Sequence, residues 1–443
     1  MNILRNIVLL LSQSVFRMVL NFGVAIVVAR YLGPAGFGAV ALALTIVTIL
    51  TPLNKLGMDG IVSRDIARET GDGADRTLGS ALALRFAGSA VQLVAALAIA
   101  WFIGPGDTVL LAMVAIVATG AILRIGEAGE LWFRAKQQAL PVVLANNLAV
   151  ICSGGWRLGL VFVGAPVLWF ASAEIVFALA LSIALAVALH RAAGSGLRLS
   201  ASWPRMRELI GESWPFLLSG AAALVYLKID VLMLGHMASR EDVGLYSAAA
   251  RLPEAAYTLS AAIIWAVQSS VVRRYDQSRA AFERALANLL GALALVAYAV
   301  FIPMAVLSPW LMRLVFGPDF AGAGPLLAVL AVAGIFVYMR AGYGLWATLA
   351  KQGRFILVTN CLGAALNVGM NLYAIPAYGA AGAAVVTLIS YIFAYYLAGI
   401  FYAPARRSFV LQSRALAMLE ARGAAQELLA AYRARKRAPS EGF

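Results

Sequence analysis

Apolar residues fall in twelve runs, near 7–32, 36–57, 78–103, 109–131, 139–163, 167–190, 209–235, 243–268, 286–311, 325–349, 355–376 and 381–403. Each is long enough for the roughly 20 residues that a membrane-crossing helix needs. Short polar stretches separate them. The pattern predicts an all-α integral membrane protein of about twelve transmembrane helices. Arg17 interrupts the first run and no convincing small-residue cleavage site follows, so that run reads as a first helix and not a signal peptide.

The two halves of the chain resemble each other. Run four ends Leu131-Trp132-Phe133-Arg134-Ala135-Lys136-Gln137, and run ten ends Leu345-Trp346-Ala347-Thr348-Leu349-Ala350-Lys351-Gln352, with a one-residue gap. In the run that follows each, Asn146, Ser153 and Arg157 share a helical face, as do Asn360, Asn367 and Asn371, 214 residues later (360 − 146). The turn Gly33-Pro34-Ala35-Gly36-Phe37-Gly38 has an echo in Asp242-Val243-Gly244-Leu245-Tyr246. Six helices per repeat is an even number, so both halves enter from the same side. Parallel repeats of this kind build two pseudo-symmetric six-helix bundles with a central cavity. The expected organisation is an N-terminal lobe over 1–191, a cytoplasmic linker over 192–208, a C-terminal lobe over 209–403 and a basic cytoplasmic tail over 404–443. Phe409, Leu416, Leu419, Leu428 and Leu429 recur at near-helical intervals in that tail, and Arg433, Arg435, Lys436 and Arg437 close it. It reads as an amphipathic helix on anionic headgroups or as a solvated tail.

Composition agrees with the membrane reading: 62% of the 443 residues are hydrophobic and 13% charged, against about half and a quarter in an average soluble domain. A net charge of +14 would suggest nucleic acid in a soluble protein. Here the basic residues alternate between loops instead. One set of loops carries Arg64, Arg68 and Arg76, then Arg134 and Lys136, then Arg191, Arg198, Arg205 and Arg207, then Arg273, Arg274, Arg279 and Arg284, then Lys351 and Arg354. The opposite loops, around Gly104–Asp107, Gly164–Pro166, Gly317–Gly324 and Tyr378–Ala381, have none, and the loop after run seven has only Arg240. The positive-inside rule then puts both termini of this multi-pass membrane protein in the cytoplasm. Nucleic acid is not an expected partner; membrane lipids are. Cys152 and Cys361 lie in separate apolar runs and offer neither a disulfide framework nor a metal site.

The candidate functional residues are ions where ions are expensive, since an Arg or Lys at a helix centre costs about 2.5–3.5 kcal/mol even on an insertion scale. Gln13, Arg17 and Asn21 form one polar stripe on helix one, and no Asp or Glu precedes Asp59. Arg17 therefore faces either an ion-pair partner on another helix or an anion in a water-filled lumen. Arg157, Lys228, Arg251 and Arg340 complete a basic set from helices one, five, seven, eight and ten, which Glu127, Glu130 and Glu174 could partly neutralise. Guanidinium groups bind phosphates bidentately, so such a set suits a pyrophosphate cargo. Asn21, Asn146, Asn360, Asn367, Asn371 and Tyr343 would then meet attached sugars. Asp230, with Glu254 second to it because Arg251 is three residues away, is the expected coupling carboxylate for H+ or Na+. No G-x-x-x-x-G-K-[ST] loop is present, and His190 and His236 sit at helix ends on opposite sides. No catalytic group or cofactor is expected, and the chain does not read as an enzyme.

Ala29-Arg30-Tyr31-Leu32-Gly33-Pro34-Ala35-Gly36-Phe37-Gly38, then Leu56-Gly57-Met58-Asp59, then Ile229-Asp230-Val231-Leu232-Met233-Leu234 with Val243-Gly244-Leu245-Tyr246-Ser247-Ala248-Ala249, resemble the Wzx-type polysaccharide-unit flippases. These belong to the multidrug/oligosaccharidyl-lipid/polysaccharide exporter superfamily, and the similarity spans roughly 1–405. The resemblance implies two six-helix lobes in a V and a cationic lumen. It also implies alternating access driven by an ion gradient, which moves a lipid-diphosphate-linked oligosaccharide to the periplasmic leaflet. It puts Arg17 and Arg251 on the helices that engage the diphosphate, with a polysaccharide polymerase and glycosyltransferases as pathway partners. The chain lacks the two extra C-terminal helices of peptidoglycan-precursor flippases and the helix-one acid of drug exporters. The alternatives are a multidrug or small-molecule exporter of the same fold, which would want carboxylates in the N-terminal lumen, and a membrane glycosyltransferase or polymerase on the same lipid carrier, which would want a large extramembrane loop.

Overall fold

The computed structural model describes residues 2–69, 72–193 and 199–419. Arg198, part of the expected linker and the tail from 420 on, with Leu428, Leu429 and the closing basic residues, lie outside them. The described chain is helical throughout. In order the helices are α1 (Asn2–Ile49), α2 (Thr51–Lys55), α3 (Asp59–Arg68), α4 (Asp72–Ile103), α5 (Thr108–Leu123), α6 (Ala128–Ala135), α7 (Ala139–Phe162), α8 (Val167–Phe170) and α9 (Ala173–Ala193). There follow α10 (Trp203–Met237), α11 (Arg240–Gln277), α12 (Arg279–Val306), α13 (Ser308–Phe316), α14 (Gly324–Leu349), α15 (Gly353–Ile392), α16 (Ala398–Phe401) and α17 (Arg406–Leu416).

Nine stretches of the described residues are long and apolar enough to cross a membrane. Two of them, Ser12–Arg68 and Gly353–Phe401, are 57 and 49 residues long, room for two crossings each. In α1 the break is Gly33, whose positive φ of 64° is followed by Pro34, and in α15 it is Gly379 at 55°. A left-handed residue reverses the helix direction and a proline removes the next amide donor. Counting those pairs separately gives eleven, and α11, which is long enough but more polar, makes twelve. The short helix α13 adds Arg313 to the side otherwise poor in basic residues.

Two compact units emerge, Met1–Gly244 and Leu245–Phe443. This partition follows contacts and differs from the repeat boundary because α10 packs on α1, α2, α3 and α4. In the first unit α1 packs on α7 and α5, α4 on α5, and α7 and α5 on α9. Lipid offers helices no hydrophobic gain from association, so close approach of backbones and interhelical bonds must hold them. Gly88 of α4 shows how: a Cβ there would overlap the carbonyl oxygen of Leu53. Next to it Asn54 Nδ2 donates to Ser89 Oγ at 2.6 Å and to Ala121 O at 3.2 Å. The second unit is built on α12, α14 and α15, with α17 against α12. Its core sets Phe301 edge-on to Tyr338 at 5.3 Å, and Tyr338 Oη donates to Ala256 O at 2.6 Å.

The repeat seen in sequence is a repeat of backbone bonds. Gln137 and Lys351, 214 positions apart (351 − 137), are both left-handed at φ 55° and 54°. After α6, Lys136, Gln137 and Gln138 donate to the carbonyls of Trp132, Arg134 and Phe133; after α14, Ala350, Lys351 and Gln352 donate to those of Trp346, Thr348 and Ala347. This is the Schellman stop, which satisfies the last free carbonyls of a helix. The one-residue gap read from sequence closes: Gln138, not Gln137, is the counterpart of Gln352.

Candidate functional site

Ions inside the first unit gather where helices are broken. The span Thr108–Ala135 is interrupted by a 3-10 turn over Arg124–Glu127. Such a break frees carbonyls, which in a membrane must find another donor. Ser182 of α9 supplies one, donating to Leu123 O at 2.7 Å, and Gly126 lets α9 approach, since a Cβ there would sit 2.6 Å from Ser182. The break holds Arg124 against Glu174 of α9, whose other oxygen takes Arg157 Nη2 at 2.8 Å. The Arg124 guanidinium also lies 4.7 Å over the Phe177 ring. Glu127 approaches Lys55 Nζ at 3.7 Å and Arg124 Nε at 4.0 Å. Three cations and two carboxylates make a ladder with one positive charge in excess, and its side chains keep between 17% and 44% of their exposure. Arg157 is thus paired with Glu174, as the sequence allowed. Arg124, which joins both carboxylates, was not among the residues singled out by sequence. Its signal was a charged pair three apart, Arg124 and Glu127, inside an otherwise apolar run.

Glu130 is occupied in the same way: Asn146 Nδ2 donates to it at 2.7 Å and Arg134 Nη2 at 3.2 Å. Asn146 is buried and also bonds Val142 O at 3.0 Å. The motif Leu56-Gly57-Met58-Asp59 is architectural. Leu56 and Gly57 have positive φ and end α2, Met58 is fully buried, and Asp59 pairs with the buried Arg85.

Arg17 is different. Its side chain is exposed, on a stretch of α1 where Val15, Phe16 and Val19 are exposed as well. Among the described residues it has no hydrogen-bond or ion-pair partner. Asn21, one turn on, is half-buried. On α10 Asp230 is buried at 4% exposure and Lys228 half-buried, as expected for residues about 200° apart on a helix; both are engaged by neighbours.

In the second unit Arg251 is half-buried and Glu254 exposed, both with contacts of their own. Arg340 donates to Tyr395 Oη at 2.8 Å and lies 4.6 Å over that ring. Asn367 and Asn371 are buried within a polar core: Asn371 Nδ2 donates to Asn367 Oδ1 at 3.1 Å, Asn367 Nδ2 to Ser390 Oγ at 3.4 Å, and Thr387 Oγ1 lies 3.0 Å from Tyr246 Oη. Asn360 is half-buried, and Tyr343 is buried against Trp346 at 5.1 Å.

At the opposite end of the first unit, Asp107 caps α5 by accepting from Leu110 N at 2.8 Å and takes Arg240 Nη2 at 2.9 Å. Burial pushes its carboxyl up, but the cap and the Arg240 guanidinium outweigh burial and hold it below its ordinary value. His236 stacks on Phe102 at 5.1 Å, with Nδ1 3.4 Å from Ile103 O.

The fold has known counterparts. One is described as the lipid II flippase MurJ in an inward closed conformation: TM-score 0.70, 14% identity, covering 93% of this chain and 91% of that one. A second is the inward-facing conformation of a multidrug resistance MATE family transporter of the MOP superfamily, with TM-score 0.70, 16% identity and coverages of 91% and 96%. A third is the outward-facing conformation of a transporter of that same description, with TM-score 0.58, 16% identity and coverages of 94% and 96%. At these identities they establish the fold alone, and the apolar spans make the chain a multi-pass membrane protein. No curated protein matches the chain. The family described as "Polysaccharide biosynthesis protein" matches residues 3–268, more than half of the sequence, and the chain is a member of that family.

Proposed function

We propose that the protein carries a lipid-diphosphate-linked oligosaccharide from the cytoplasmic to the periplasmic leaflet of a bacterial inner membrane, for polysaccharide assembly. The supporting observation is Arg17: an exposed guanidinium within a membrane-crossing helix, with no partner among the described residues, in a member of a polysaccharide biosynthesis family. Facing lipid it would cost several kcal/mol; facing a diphosphate it would gain charge-assisted bonds. Arg251 supplies the second guanidinium, Arg157, Lys228 and Arg340 add positive potential, and Asn21 is an amide for sugar hydroxyls; Asn367 and Asn371, expected in that role, are 1% and 0% exposed and bonded within their own polar core. Asp230, buried in α10, couples transport to H+ or Na+, with Glu254 second. The repeats 1–191 and 209–403 act as two lobes in alternating access, both termini are cytoplasmic, and polymerase and glycosyltransferases act on the same lipid carrier. A fold counterpart named as a lipid II flippase fits a lipid-linked cargo.

A multidrug exporter of the same fold would need a carboxylate open to cationic cargo in the N-terminal lobe. Glu127 and Glu174 are instead held by Lys55, Arg124 and Arg157. The test is glycan export in a strain lacking the native gene, measured beside membrane abundance. Arg17→Ala should abolish export and Arg17→Lys impair it, both at near-normal abundance. Full export by Arg17→Ala at normal abundance would overturn the assignment.

A further inference from the structure

The second unit has a cavity that no step of transport uses. It lies at the basic end, where the end of α11 and the start of α12 meet the end of α14 and α17, and measures about 520 Å³. Small-molecule pockets are roughly 300–1,000 Å³. Its floor is apolar: Phe282 and Trp346 are 5% and 9% exposed. Its mouth is charged. Glu283 takes Arg279 Nε at 3.3 Å on one oxygen and, on the other, Arg407 Nη2 at 3.0 Å and Nε at 3.1 Å. Both guanidinium groups still face outward, their side chains 87% and 57% exposed, while Glu283 retains 22%. Two cations on one carboxylate leave a single positive charge. Ser408, also lining the cavity, is 1% exposed and its hydroxyl has no hydrogen-bond partner.

We propose that this cavity seats the headgroup of an anionic phospholipid on the membrane face where the basic loops gather. A phosphodiester carries one negative charge, which matches the excess at the mouth. Arg279 and Arg407, already aligned by Glu283, donate to its oxygens, and Ser408 has a hydroxyl to give. The floor argues for a lipid over a free phosphate, because an inorganic ion gains nothing from Trp346 and Phe282, whereas a glycerol backbone and its first methylenes do. The edge-on pair of Phe282 and Tyr275, at 4.9 Å, adds to an aromatic layer of the type found at membrane interfaces. The helix α17 packs Leu411 and Ala415 into the core beside α12 and leaves Arg406, Arg407 and Arg414 exposed, so its basic face is turned away from the protein. Glycerophospholipids with anionic heads are drawn to such basic clusters.

The test uses the full-length purified protein and native mass spectrometry with phosphatidylglycerol, phosphatidylcholine and inorganic phosphate. Phosphatidylglycerol should be retained over phosphatidylcholine. Arg279→Gln and Arg407→Gln should each lower that retention about tenfold, the loss of one charge-assisted bond. Glu283→Gln should raise it, since the mouth then carries two excess charges; this opposite sign separates binding from general loss of fold, and thermal midpoints in phosphatidylcholine provide the control. Equal retention of the two lipids, or arginine variants that bind as the parent does, would overturn the proposal. Displacement of the lipid by millimolar inorganic phosphate would assign the site to the free ion and overturn it as well.

Discussion

Gly38 and Gly244 meet backbone to backbone, and the contact is reciprocal. A Cβ on Gly38 would overlap Arg240 O, and one on Gly244 would overlap Pro34 O; the partner glycine's amide nitrogen would also be close in each case, at 2.7 Å and 3.1 Å. Both pairs are 206 positions apart (244 − 38 and 240 − 34). The stretches 34–38 and 240–244, which lie in the two turns that echo each other in sequence, therefore pack directly on one another.

That contact predicts a sharp steric limit. Gly38→Val or Gly244→Val should lower the thermal midpoint of the purified protein by several degrees, since a backbone clash has no flexible side chain to yield and overpacking costs about 1–3 kcal/mol. Gly23→Val is the control, as a Cβ at Gly23 meets nothing within 4 Å. Equal midpoints for Gly23→Val and Gly38→Val would refute the close approach.

Glu174 should be the most costly carboxylate to lose. Glu174→Gln leaves Arg124 and Arg157, both only partly exposed, facing each other without their shared carboxylate, and losing one member of such a set costs more than losing an exposed pair. Arg64–Glu212, whose side chains are both 43% exposed, should be worth far less, as exposed pairs are. Chemical denaturation of Glu174→Gln beside Glu212→Gln gives the comparison. Matching losses would show that the ladder is solvated.

The pair of Asp107 and Arg240 should register acid. Asp107 is depressed in the folded protein, so its contribution is fully present above the unfolded carboxylate pKa of about 3.9 and is lost as pH falls through the lower folded value. Parent and Asp107→Asn melting curves should differ at pH 6 and converge towards pH 3. A gap that widens with acidity would contradict the sign.

Asp230→Asn should uncouple transport from the ion gradient in vesicles while the protein still folds, if that buried carboxylate carries the coupling. Gradient-dependent transport unchanged by the substitution would move the role to another acid.

Much of this was written into the chain. Apolar length accounts for nine spans of the described residues, two of them long enough to cross twice because Gly33 and Gly379 interrupt them, while α11 joins the count by length and not by composition. The lack of any acid before Asp59 ruled out a partner for Arg17 within its own hairpin but left one on another helix open; among the described residues there is none. The repeat was legible at Trp132 and Trp346, yet matching lysine to lysine shifted the register by one, because what repeats is a hydrogen-bond ladder and not the side chains that decorate it. Arg124 was hidden inside a run scored as apolar. That Glu174 accepts two guanidinium groups depended on the three-way packing of α5, α7 and α9, which no local spacing encodes.

Arg205 gives the passage between the repeats a mechanical character. It sits in the first turn of α10 and reaches back to Asp65 at 2.8 Å, Glu69 at 3.2 Å and Thr77 at 3.0 Å, while Ser80 accepts from Ser202 N at 3.1 Å. The segment leading into α10 is therefore bolted to the first repeat at its landing point. The first turn of α10 is thus held by α3 and α4 themselves as well as by the chain leading into it, so a displacement of those helices would pull directly on the helix that carries Lys228 and Asp230.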